Sequence, residues 1–132
     1  MKKLFLPLLF LLAASSAMAA EDMLDRRSYK VEMTDTATKK KSADTLVFKG
    51  ARFTSERLTT AGFRPAEYTA LLASGTVTWA ASTSNGEGGV ADLGGAIHGR
   101  DIEGKAVVTS PEGKDEKRAN VVHHYEFQGS QI

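Results

Sequence analysis

The stretch LGGAIHGRDIEGKAVV, residues 93–108, decides the fold. Leu93, Gly95 and Ile97 occupy alternate positions, and so do Ile102, Gly104, Ala106 and Val108. Between them His98-Gly99-Arg100-Asp101 has the chemistry of a tight turn. Two runs of period two around such a turn predict an antiparallel β-hairpin with one apolar face. The same rhythm continues outward in both directions. Tyr29, Val31 and Met33 alternate with polar neighbours; Leu46 and Phe48 do likewise, with Phe53 continuing after Gly50. Tyr68, Ala70 and Leu72 share one side, as do Val77, Trp79 and Ala81, and finally Val121, His123, Tyr125 and Phe127.

The breaks are turn-forming. Ala73-Ser74-Gly75 and Ser84-Asn85-Gly86-Glu87-Gly88-Gly89 read as hairpin connections, since Asn-Gly accepts positive φ at low cost. Thr34 to Asp44 and Ser110 to Arg118 read as longer polar loops, and Lys39-Lys40-Lys41 in the first as solvated charge flanked by acids. Only Ser55 to Pro65 departs from period two, which predicts about one helical turn from Arg57 to Ala61. Glu21 to Arg27 is so charged that fraying or loose docking is expected. The predicted fold is all-β, an antiparallel up-and-down meander of seven or eight strands. Curling it into a barrel removes the exposed edges, and at eight strands the interior is just filled or holds one small ligand. Gly95 and Gly104 share the inward face, where a missing side chain lets the sheet bend, makes room for a large neighbour such as Trp79, or opens a cavity.

Composition narrows the setting. Lys2 and Lys3, the eleven-residue apolar run Leu4–Ala14 and the small-x-small site Ala17-Met18-Ala19 form the pattern of a cleaved signal peptide. The run is too short to span a bilayer, so stable membrane insertion is not expected. Residues 1–19 are therefore the expected signal, and 20–132 a single barrel domain found in the periplasm or secreted. Loss of the two signal lysines lowers the formal net charge from +1 to −1. That balance gives no electrostatic reason to expect nucleic acid. With no cysteine, the chain has no disulfide, thiol nucleophile or thiolate metal site, so stability rests on apolar burial and backbone pairing.

Leu93-x-Gly95-x-Ile97-x-Gly99-x-x-Ile102-x-Gly104, with Tyr125-x-Phe127-x-Gly129 near the end, resembles the hairpins of small exported bacterial β-barrel proteins. In plan the chain resembles the calycin group, the lipocalin-like and avidin-like barrels. The resemblance implies a barrel and a habit of binding small molecules. Two departures limit it: the Gly-x-Trp that opens the first lipocalin strand is missing, with Trp79 in a middle strand, and the common lipocalin disulfide cannot form. No ligand-binding residue carries over.

Chemical motifs are sparse. Gly86-x-Gly88-x-x-Ala91 matches a dinucleotide fingerprint formally but lies in a hairpin turn with no strand-turn-helix context. His123 and His124 are strand neighbours and point to opposite faces, so they cannot chelate one ion together; His98 adds a third imidazole without a fixed carboxylate. No metal site and no cofactor is expected. No nucleophile elbow, zinc-protease helix or phosphate loop is present, which argues against an enzyme. The expected function is non-enzymatic binding of a small apolar ligand in the barrel, contacted by Trp79, Tyr125 and His123. The alternative is a filled core whose surface loops or sheet edge engage another envelope protein.

Overall fold

The computed structural model describes residues 18–112 and 119–132. Its elements are β1 (Met18–Ala19), α1 (Glu21–Leu24), β2 (Arg27–Asp35), β3 (Lys41–Lys49), β4 (Arg52–Ser55), α2 (Glu56–Thr60), β5 (Ala66–Ala73), β6 (Thr76–Ser84), β7 (Val90–His98), β8 (Asp101–Glu112) and β9 (Ala119–Gln131). Strands β2 to β9 pair antiparallel with their sequence neighbours, and β9 pairs back onto β2, from Tyr29↔Gln131 to Asp35↔Tyr125. The result is a closed eight-stranded up-and-down barrel, with the short β1 added beside β5. The expected signal falls almost wholly outside the described residues, as do positions 113–118 of the second polar loop.

Period two became register. In β6 the buried positions are Val77, Trp79 and Ala81; in β5 they are Ala66, Tyr68 and Ala70; in β2 they are Tyr29, Val31 and Met33. The hairpin read from residues 93–108 forms with Ile97 opposite Ile102 and Gly95 opposite Gly104. Phe53 does not continue the strand of Phe48. Gly50 and Ala51, at φ 62° and 63°, turn the chain so that Phe48 and Phe53 face each other across a hairpin. Two consecutive positive φ values give the turn twist that strand pairs favour.

Inside, Tyr29, Phe48, Phe53, Tyr68, Trp79 and Phe127 form one aromatic cluster. Phe48 lies 5.2 Å from Trp79 and 4.9 Å from Tyr68, and Phe53 lies 5.1 Å from Trp79. Gly95 and Gly104 explain how so much ring fits. Gly95 sits opposite Trp79, and Gly104 opposite Phe127. The two rings approach to 6.1 Å across the strands that carry no side chain there. A Cβ on Gly104 would meet Phe127 Cζ at 2.6 Å and crowd the Gly94 carbonyl. On the inner face these glycines seat the rings, and the space they leave there is occupied by Phe127 and Trp79.

Two corrections concern the barrel ends. Glu21 to Arg27 is not frayed. Leu24 is fully buried, Tyr68 Oη donates to the Glu21 carbonyl (3.0 Å), and Ala70 N–H donates to the Glu21 carboxylate (3.1 Å), so α1 is docked against β5, with Gly50 N–H donating to Asp25 just after it (2.8 Å). The buried Leu24 and the two bonds to Glu21 together hold the charged segment in place. Nor is Thr34 to Asp44 a long loop. β2 runs to Asp35 and β3 begins at Lys41, with Lys41 Nζ 3.6 Å from Glu32 Oε1, and Asp44 is buried. Of the lysine triplet, only Lys39 and Lys40 lie in the connecting loop, where both are exposed.

Candidate functional site

The barrel end opposite α1 is covered by the segment that breaks the strand pattern. Ser55 closes β4 in extended conformation, and its Oγ accepts from Leu58 N–H (3.2 Å), the usual N-cap bond. Gly62, at φ 88°, ends the turn, and Phe63 N–H returns to the Leu58 carbonyl (2.9 Å), which tucks the Phe63 ring inward. The Asp44 carboxylate lies beneath. Its Oδ1 accepts from Thr45 N–H (2.7 Å) and Arg57 N–H (3.1 Å), and its Oδ2 accepts from Ser55 Oγ–H (2.5 Å). Asp44 thereby anchors the start of α2 to β3. Asp44 and Ser55 are the two buried polar side chains among the described residues, 2% and 1% exposed.

Between α2 and the far wall lies a pocket of about 140 Å³. Met33, Leu58, Phe63, Leu93, Val108 and Tyr125 supply most of its apolar wall; Asp44 and Ser55 supply the polar patch on the β3–β4 side. Arg57 reaches the rim and is exposed.

Of the three residues predicted to touch ligand, Tyr125 and His123 are brought together and Trp79 is not. Tyr125 lines this pocket, half-buried. Trp79 sits in the packed centre, 4% exposed, and its indole N–H has no hydrogen-bond partner, nor has the Tyr29 hydroxyl. His123 stands at the rim, stacked on Tyr125 at 6.3 Å between ring centroids, with Nδ1 3.9 Å from Asp35 Oδ2. Asp35 accepts from the Thr38 and Ala37 amides, and these bonds, with the nearby His123, hold its carboxyl below the usual 3.8 against a smaller opposing effect of burial. His98 lies at the opposite end, bonded to Thr76 Oγ (3.1 Å). His98 is in register with Asp101 and Ser130, so seven residues of β9, about 24 Å at 3.4 Å each, separate its level from His123. Among the described residues no three ligating side chains cluster.

Sequence reasoning missed Asp44, Ser55, Leu58 and Phe63, all of which belong to this pocket. The Ser55 N-cap was the available signal, three residues before Leu58. A larger concavity of about 740 Å³ lies on the outer wall, floored by Gly94 and Gly104 and rimmed by Glu32, Lys41, Glu103 and Lys105. It is an open trough, with Gly95 also in its floor and charges of both signs around it. No described helix is long and apolar enough to cross a membrane. No family model, curated protein or solved structure matches the chain.

Proposed function

We propose that the protein is exported, trimmed before Ala20, and acts in the periplasm or medium as a non-enzymatic, calycin-like barrel that holds one small apolar ligand. The observation that carries the reading is the pocket of about 140 Å³ beneath α2. An apolar cavity of about 150 Å³ accepts benzene, so a ligand of six to eight heavy atoms, on that order, fits. The packed aromatic centre supports a ligand held at the mouth, against Tyr125, rather than against Trp79. The Ala17-Met18-Ala19 site and the basic, apolar leader support export.

Native mass spectrometry of the protein recovered from its own envelope tests both halves. A chain beginning at Ala20 with one retained small molecule supports the reading. A chain beginning at Met1 in the cytoplasm rejects export. A mature chain that arrives empty and takes up no six-carbon probe rejects ligand binding.

A second reading rests on the β8–β9 ribbon. β8 pairs with β7 only as far as Val90↔Thr109, while its ladder with β9 runs on to Glu112↔Ala119. Val90 and Val122, 40% and 48% exposed, lie in one register row across β7, β8 and β9. Two exposed valines in one row of the outer wall favour contact with another envelope protein. Double substitution of Val90 and Val122 by Ser, followed by in-cell crosslinking, separates this reading from ligand binding.

A further inference from the structure

The mouth pocket contains a buried carboxyl group with no cationic partner among the described residues. Asp44 is 2% exposed, yet no Lys, Arg or His nitrogen among the described residues lies within 4.0 Å of its carboxylate. Arg57 donates its backbone N–H to Asp44 while its side chain stays exposed at the rim. Buried charges are ordinarily paired or bound to metal, because dipoles alone compensate incompletely for lost hydration. The hydrogen-bond count leaves room for one more donor. Each carboxylate oxygen has about two acceptor positions. Oδ1 uses two, on Thr45 and Arg57, whereas Oδ2 uses one, on Ser55. Asp44 and Ser55 form part of the pocket wall, and facing them across the space are Leu93, Ala106 and Val108 on β7 and β8. The cavity is therefore divided: an anionic acceptor on one side and hydrocarbon on the other.

We infer that the mouth pocket is a site for a small primary amine with an apolar body, its ammonium set against Asp44 and its hydrocarbon against the β7–β8 wall. The inference rests on the reading of this pocket as a ligand site and adds the ligand's chemical class. An ammonium supplies donors and the missing positive charge together; an alcohol supplies a donor only; a carboxylate places like charge beside Asp44. Charge-assisted hydrogen bonds are roughly twice as strong as neutral ones, so the preference for amine over alcohol is expected to be about tenfold or more.

The test titrates the mature protein with hexylamine, hexan-1-ol and hexanoate, following methyl resonances of Leu58, Leu93 and Val108. Hexylamine is expected to bind about tenfold or more tightly than hexan-1-ol, and hexanoate not measurably. Nuclear Overhauser contacts are expected from the amine's nitrogen-bearing methylene to the Ser55 β-protons. In Asp44→Asn the amine and alcohol affinities should converge while the alcohol is still bound. The native series stands alone should that variant fail to fold. Equal affinity for amine and alcohol, or a reversed orientation, overturns the amine inference and leaves the pocket a ligand site. Failure of all three probes to bind overturns both.

Discussion

Replacing Trp79 by Ala should remove a large share of the stability of this domain. The indole is 4% exposed, packed between Phe48, Phe53 and Phe127 at 5.1 to 6.1 Å, and faces Gly95, which has no side chain with which to fill the space. An aromatic side chain buries about 150–250 Å², which at about 25 cal/mol per Å² gives ~4–6 kcal/mol as an upper bound. Large-to-small aromatic substitutions cost about 3–5 kcal/mol, so a loss of about 4 kcal/mol is expected, against a total of about 5–15 kcal/mol for a typical domain. Trp79→Phe differs. It gives up part of the ring contact but also removes the unpartnered indole N–H, whose burial costs about 1–3 kcal/mol. Its net change should stay within about 1.5 kcal/mol. Urea unfolding followed by circular dichroism measures both variants, and the native emission of this single tryptophan should be blue-shifted. A cost for Trp79→Ala below about 1.5 kcal/mol at unchanged m, or solvent-like native emission, would refute the packed-centre description.

Leu24→Ala should cost about 2–5 kcal/mol in the same assay, because α1 is docked through this fully buried side chain; a negligible change would mean that α1 is frayed after all. Gly104→Ala should cost about 1–3 kcal/mol despite adding a single methyl, since the new Cβ meets Phe127 and the Gly94 carbonyl; a neutral result would show the sheet bend to be relaxed. Burial, aided by the Asp25, Glu21 and Asp22 carboxylates, holds the Tyr68 phenol above its usual 10.0. That contribution is complete below the unfolded-state value near 10 and is lost as pH rises through the folded one. Stability should therefore fall more steeply on the alkaline side in the native protein than in Tyr68→Phe, as read from urea midpoints across that range; parallel curves would contradict the assignment.

The barrel was legible because burial on one face of each longer strand forces period two into the sequence, and seven such runs in succession leave few topologies. The hairpin at Gly50-Ala51 was not, since four residues of β4 carry too few alternations to announce a separate strand. Asp44 escaped notice for a chemical reason. A carboxylate three residues beyond three lysines reads as loop, and only the partners brought in by Ser55 and α2 make its burial tolerable. Leu24 was hidden by its neighbours: Glu21, Asp22, Asp25, Arg26 and Arg27 describe a solvated segment, and the adjacent pair Met23-Leu24 has no period to detect. Of the predicted site residues, Tyr125 and His123 fell at the mouth because β9 carries its alternation to that end. Trp79 is central because its strand places it in the register row of Gly95, Gly104 and Phe127.

The decisive measurement is a methyl-resolved titration of the mature protein with cyclohexane, a six-carbon probe that asks nothing of the polar wall. Saturable one-to-one shifts confined to Met33, Leu58, Leu93 and Val108, with Val77, Ile97 and Ile102 unmoved, are the result expected of an open mouth pocket above a filled core. Shifts at Val77, Ile97 and Ile102 would place the ligand in the barrel centre. No saturable shift anywhere would contradict ligand binding and leave the surface ribbon as the working part of the molecule.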